Sequence, residues 1–334
     1  MKVLFTGERE KLSDAAGNYI AERTEQTPEI RLGGATGRSP KVAYATALGT
    51  GVDFSKAKIY FLDEYFGFTG VAKDGTHTTY RGYALLNLHI KPKTDGVPEE
   101  KVFQTENIWT PRGNFYDGCK LVTSAKFDKV LLKNPEDFTW RGQETTEVDE
   151  LGLIRKYGIR TPLEVSEGLK PTRRFIPEVC ISKDAKDPVL KEIRYANQNY
   201  DAHLRTELQV LGIGEESHIA FNEKGTLPKS RVHLTALALS TLNANEDDYS
   251  GGEASWYAIT QGIGTIMDAN ELLLLAFGPK KTTAVRDMLH QDPSPLHPAA
   301  YMQTHPNVRL YIDTDALGEC DMEALEKEWE IKDI

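Results

Sequence analysis

Cysteine is scarce and scattered in this chain. Only Cys119, Cys180 and Cys320 occur in 334 residues, and no two form a CxxC pair. That pattern signals neither a zinc knuckle nor a disulfide framework. Long apolar runs are missing too: nothing approaches the roughly 18 consecutive residues of a membrane span. The opening MKVLFTGEREKLSDAAG lacks the apolar centre of a signal peptide. The expectation is therefore a cytoplasmic protein with no membrane partner. Basic charge is in deficit, with 40 Lys and Arg against 50 Asp and Glu and a formal net charge of −10. Nucleic-acid phosphates demand a concentrated basic surface, so no nucleic-acid partner is expected. Internal repeats and low-complexity tracts are absent as well.

What remains is an ordinary globular balance, 40% hydrophobic and 27% charged, long enough to bury a large core. Strand-like and helix-like patterns alternate from the start. Glu10 to Arg23 places Leu12, Ala15, Ala16, Tyr19 and Ile20 at helical spacing. Glu29 to Gly33 reads as a strand and Gly33 to Pro40 (GGATGRSP) as a loop. A helix is expected to begin at Pro40, with Ser39 as its N-cap. Lys58 to Leu62 reads as a strand running directly into Asp63–Tyr65. The rhythm returns at Glu207–Gly214, Glu271–Gly278 and Val308–Asp313, the last expected strand. Strand, glycine loop, helix, strand is the grammar of a parallel α/β sheet. Residues 107–190 differ, being rich in charge and turn residues, and read as an insertion into a single α/β domain spanning 1–334.

Three loops carry chemistry-bearing residues. In GGATGRSP the glycines permit a tight turn, and the helix behind would aim free N–H groups at an anion. Such turns are common in α/β proteins, and neither phosphate-loop fingerprint is matched, so the loop alone does not separate an anion site from a plain turn. Asp63 and Glu64 sit at the carboxyl end of a strand, where open α/β sheets bind ligands. A turn cap and a solvated acid would read the same way. LGIGEESHIAFNE (Leu211 to Glu223) sets His218 between Glu216 and Glu223. Flanking carboxylates orient an imidazole and suit it to moving a proton on and off an oxygen; a solvated acidic loop is the bland alternative. No second histidine lies at i+4, so metal binding ranks low.

Taken together, LGGATGRSP, FLDEYFG, LGIGEESHIAFNE, GIGTIMDANELLLLAFGPKK and PAAYMQTHPNVRLYID, in this order from residue 32 to 313, resemble the glucosamine-6-phosphate deaminase/isomerase family. The likeness does not extend over about 107–190, which marks a divergent member with a large insertion. It implies a modified Rossmann-like α/β fold, with a mostly parallel sheet flanked by helices and an inserted irregular subdomain. It implies conversion of glucosamine 6-phosphate and water to fructose 6-phosphate and ammonia without metal or organic cofactor. Carried over by motif, Asp63 shuttles a proton between C2 and C1. His218 opens the pyranose ring with Glu216 and Glu223 as carboxylate partners. Gly34, Thr36, Gly37, Arg38, Ser39, Glu64 and Lys281 bind substrate and phosphate. A homo-oligomer is compatible with the likeness.

The chain also departs from the pattern. Glu216 and Ser217 replace the family's Asp and Gly, and no arginine occurs between Arg231 and Arg286, where the family has a lid arginine for the phosphate. Arg38 could supply that charge. His233 and Thr235 replace basic residues used for allosteric activation in some members, so no such activation is expected. These departures keep two alternatives open: an isomerase, deaminase or lactonase for another phosphorylated sugar, and a non-catalytic sugar-phosphate sensor.

Overall fold

The computed structural model describes residues 1–68, 79–148, 172–245, 255–318 and 320–334. Among them, the main sheet has eight strands, all parallel to their neighbours. Their spatial order is β17 (Glu330–Asp333), β1 (Lys2–Gly7), β16 (Val308–Asp313), β15 (Leu272–Ala276), β12 (Leu208–Gly212), β2 (Arg31–Gly34), β3 (Lys58–Phe61), β5 (Ile108–Trp109). A sheet covered on both faces needs strands that are apolar at every position, and β15 reads LLLLA with all residues buried. Alternation assigns its side chains to opposite faces. Leu272, Leu274 and Ala276 join one core with Val285, Met288 and Leu289 from helix Thr282–His290. Leu273 and Leu275 join another with Leu12, Ala16 and Ile20 from α1 (Arg9–Gln26) and Ala43 and Ala47 from α2 (Arg38–Gly49).

A second sheet is antiparallel and was not legible in the sequence. It orders β4 (Asp63–Tyr65), β14 (Tyr257–Thr260), β13 (His233–Ala236), β11 (Glu178–Ile181) and β8 (Phe138–Arg141). Its own core gathers Tyr65, Phe66, Phe127, Leu190, Leu234 and Tyr257. The expected strand Lys58–Leu62 ends at Phe61, and the Asp63–Tyr65 segment it runs into is a strand of the other sheet. Leu62 lies between them, its N–H donating to Gly34 O and its carbonyl accepting from Gln261 N–H. The chain steps from one sheet to the other one residue before Asp63. Residues 107–190 supply β5 to the main sheet and β8 and β11 to the second. Short pairs β6 (Tyr116–Asp117) with β7 (Lys120–Leu121) and β9 (Thr145–Val148) with β10 (Thr172–Phe175) complete the strands. Val308–Asp313 is not the last strand, since β17 follows it beside β1. No helix of the described residues is long and apolar enough to cross a membrane.

Candidate active site

The order of the main sheet reverses between β2 and β12. From β2 the chain runs outward through β3 to β5; it returns on the other side of β2 through β12, β15 and β16. Loops leaving the carboxyl ends of β2 and β12 therefore diverge, and the crevice between them is where such sheets bind ligands. The β2 loop is GGATGRSP, and the β12 loop holds His218. One strand further out on either side, β3 leads to Asp63 and β15 to Lys281. At about 5 Å per strand step, four loops converge within about 15 Å.

The loop after β2 ends at Gly37, the N-cap of α2, with a φ of 119°. Ser39 is not the cap: the helix begins two residues earlier than expected, at Arg38, because the glycine turns the chain without a side-chain acceptor. The first-turn amides of a helix have no intrahelical acceptor and are suited to receive an anion. Tyr44 fixes the loop from within α2, accepting the Ala35 N–H at 2.9 Å and donating to Ala35 O at 3.3 Å. Thr36 and Ser39 are half-buried; the side chain of Arg38 lies outside the described residues.

Asp63 pairs with Thr260 in the second sheet and is 5% exposed. Burial first, and the adjacent Glu64 second, push its carboxyl well above the usual value. Glu64 is spent differently from expectation. Its carboxylate accepts the backbone N–H groups of Tyr65 (3.1 Å), Tyr80 (3.0 Å) and Arg81 (3.0 Å) rather than opening toward a ligand.

His218 faces one of its two expected acids. Its Nδ1 stands 3.3 Å from Glu223 Oε2, at ion-pair distance without hydrogen-bond alignment. Glu223 is 1% exposed, and its other oxygen accepts Ala238 N–H at 3.1 Å. Burial alone would raise Glu223, but the facing His218 and the Ala238 amide outweigh it and hold the carboxyl below its usual value. The ring lies flat on Gly214: a Cβ there would come within 2.0 Å of Nε2. Glu216 turns away. It is 45% exposed and pairs with Lys224 at 2.9 Å, so its longer side chain reaches a surface cation instead of the imidazole.

Beyond β15, Lys281 ends a short 3₁₀ turn, Pro279–Lys281. Both Asp313 carboxylate oxygens accept Gly278 N–H, at 3.0 and 2.9 Å, and so fix where that turn starts. Lys281 is half-buried, and among the described residues no hydrogen bond or ion pair holds its ammonium. Burial lowers its proton affinity, Glu215 nearby opposes that, and Lys280 adds to it. A cation left in this state is suited to an arriving anion. Among the described residues no cluster of His, Cys, Asp or Glu is grouped to hold a metal ion.

No protein-family model matches the chain. A glucosamine-6-phosphate deaminase of Bacillus cereus (strain B4264) is 44% identical over 321 residues, covering 96% of this chain and 89% of that one. The chain belongs to the glucosamine-6-phosphate deaminase family. A relative from Bacillus cytotoxicus, also a glucosamine-6-phosphate deaminase, is 47% identical over 115 residues; that match covers 34% of this chain and only 44% of the relative. The solved structure of a monomeric glucosamine-6-phosphate deaminase superposes with a TM-score of 0.62 at 24% identity, covering 95% of this chain and 99% of that one, and supports the fold.

In the β12 loop, Ser217 is a strained position. Its φ is 61°, in the left-handed region that side chains avoid, and it is held there by Gly214 O, Ala284 O and Ala299 N–H. Several supporting residues escaped sequence reasoning. Gln261 Nε2 (3.1 Å) and Tyr200 Oη (2.7 Å) both donate to Phe61 O and brace the step before Asp63. Tyr83 Oη donates to Gly37 O at 2.9 Å. No motif marks them, because each acts through a backbone carbonyl that only the tertiary fold brings near.

Proposed function

We propose that the protein converts glucosamine 6-phosphate and water to fructose 6-phosphate and ammonia. The observation that carries this reading is the convergence of a buried, proton-hungry Asp63, the His218–Glu223 pair, the α2 N-terminus and Lys281, which has no partner among the described residues, on neighbouring strand ends at the sheet's reversal point. The phosphate sits on the 34–39 loop and Lys281. His218, oriented by Glu223, moves the ring-oxygen proton as the pyranose opens to the aldehyde. Asp63 then takes the proton from C2 and returns it to C1, while a proton from the amine passes to the aldehyde oxygen; the C2–H and one N–H bond break, C1–H and O1–H bonds form, and the nitrogen is left on C2 as an imine. Water adds to that carbon and ammonia leaves. A carboxylate whose proton affinity is raised by burial is a stronger base for a carbon-bound proton, and its placement supplies proximity as well. A sensor has no use for a buried acid in that state.

The test incubates the purified protein with glucosamine 6-phosphate and follows ammonia and fructose 6-phosphate together. Equal release of both, lost by about 10²- to 10⁴-fold in Asp63→Asn and His218→Gln, is the expected result. Saturable binding with no product, or full turnover in Asp63→Asn, would overturn the reading.

A further inference from the structure

Glu64 follows Asp63 in β4, yet its carboxylate is occupied by a distant helix. Oε1 accepts Tyr80 N–H and Oε2 accepts Arg81 N–H, each at 3.0 Å, and these are the first residues of α3 (Tyr80–Leu85). Thr79 Oγ1 takes the next amide, that of Gly82, at 3.1 Å. One buried acid and one hydroxyl thus satisfy the opening turn, which would otherwise leave donors unpaired. The same helix carries Tyr83, whose hydroxyl donates to Gly37 O at 2.9 Å. Gly37 is the residue at which the phosphate-loop segment becomes α2. A continuous path of hydrogen bonds and one helical turn joins the carboxylate next to Asp63 to the mouth of the loop.

We propose that Glu64 is a positioning residue for the phosphate: by docking α3 it holds Tyr83 on Gly37, and its ionisation sets the loop's affinity for a dianion. The inference rests on the reading of residues 34–39 as the anion loop. Burial pushes the Glu64 carboxyl up to about 7, against the pull of the Arg81, Tyr80 and Tyr65 amides and the Arg81 charge. The charged groups that act on it are Asp63 from β4 and Arg81 from α3; the backbone of Gly113 packs against its Cγ. Ionised, the carboxylate makes charge-assisted bonds to three amides; protonated, it makes weaker ones. Docking of α3 therefore tightens as pH rises through neutrality.

Sulfate is the probe, since it stays a dianion across this range and requires no turnover. Calorimetry at about pH 8 and about pH 6 compares the wild type with Glu64→Gln and Tyr83→Phe. Tyr83→Phe is expected to weaken sulfate roughly two- to tenfold, the loss of one hydrogen bond. Glu64→Gln is expected to bind sulfate several-fold more weakly than wild type at the higher pH and equally at the lower. With glucosamine 6-phosphate, KM should rise in step with the sulfate constant while kcat changes less. Unchanged sulfate binding in both variants at about pH 8 would overturn the proposal, as would a Glu64→Gln loss confined to kcat, which would place the acid in the proton transfer. If Glu64→Gln does not fold, unchanged sulfate binding in Tyr83→Phe is sufficient to refute it. Absence of turnover in the wild type with the sulfate pattern intact would remove the proposed activity and still support this assignment.

Discussion

Replacing Lys281 by methionine should make the protein bind its substrate worse without making it less stable. The ammonium is half-buried with no partner among the described residues, and burial already lowers its proton affinity. Removing it breaks no ion pair among the described residues. Methionine keeps most of the stem's apolar volume, so no large cavity opens. In the complex the same ammonium would make charge-assisted hydrogen bonds to phosphate, worth about 1.5–3 kcal/mol. At about 1.4 kcal/mol per decade that is a roughly ten- to hundredfold rise in KM and in the inhibition constant of inorganic phosphate. Steady-state kinetics with phosphate as competitor, beside a thermal melt, reads both effects at once. The expected melting temperature matches or exceeds that of the wild type, the usual sign of a functional group held at a cost to stability. A KM within twofold of wild type would refute the anion role. A melt lowered by several degrees would refute the claim that Lys281 has no structural partner.

Three further outcomes follow from the β12 loop. Glu223 is held below its usual value in the fold, so its stabilising contribution is present above the unfolded value of about 4.3 and is lost as pH falls through the lower folded one. Glu223→Gln should lose kcat by about 10²-fold or more, and its melting temperature should fall less steeply than wild type's in that acid window; parallel curves would contradict the linkage. Gly214→Ala puts a Cβ within 2.0 Å of His218 Nε2, so the ring must leave its place. Turnover should collapse at a stability cost of about 1–3 kcal/mol, and a fully active variant would show that the ring position is not catalytic. Ser217→Gly relieves a left-handed side chain worth about 1–2 kcal/mol, offset by about 0.5–1 kcal/mol of glycine entropy and the 3.4 Å bond to Ala284 O. Denaturant unfolding should show a gain below about 1 kcal/mol, and a clear loss would mean that the hydroxyl outweighs the strain.

The parallel sheet was legible where apolar runs end in glycine loops, as LLLLA before Phe277–Gly278 shows. The antiparallel sheet was not, because its strands are short, separated widely in sequence and buried by tertiary contact rather than by pattern: β4 is only DEY. The step at Leu62 is invisible for the same reason, since KIYFLDEY carries no glycine or proline to mark a break. At the site, residue types identified the loops, while roles depended on direction. Spacing placed two acids beside His218, but Glu223 alone reaches it, because the chain folds back from Ile219 to Asn222 while Glu216 stays on the outer turn.

That division changes the meaning of the Glu216–Ser217 substitution. If the loop relied on residue 216 to orient the imidazole, an added methylene would have to be absorbed at the ring. Instead the orienting charge is the buried Glu223, backed by the Ala238 amide and shielded from water. The surface pair of Glu216 with Lys224 is exposed at both ends and contributes little by itself. The cost of the departure falls on Ser217, which must adopt the glycine conformation, and neighbouring backbone groups keep it there. The loop therefore preserves the ring on Gly214 and Glu223 by holding backbone shape constant, and leaves position 216 free to vary because its side chain points outward from the chemistry.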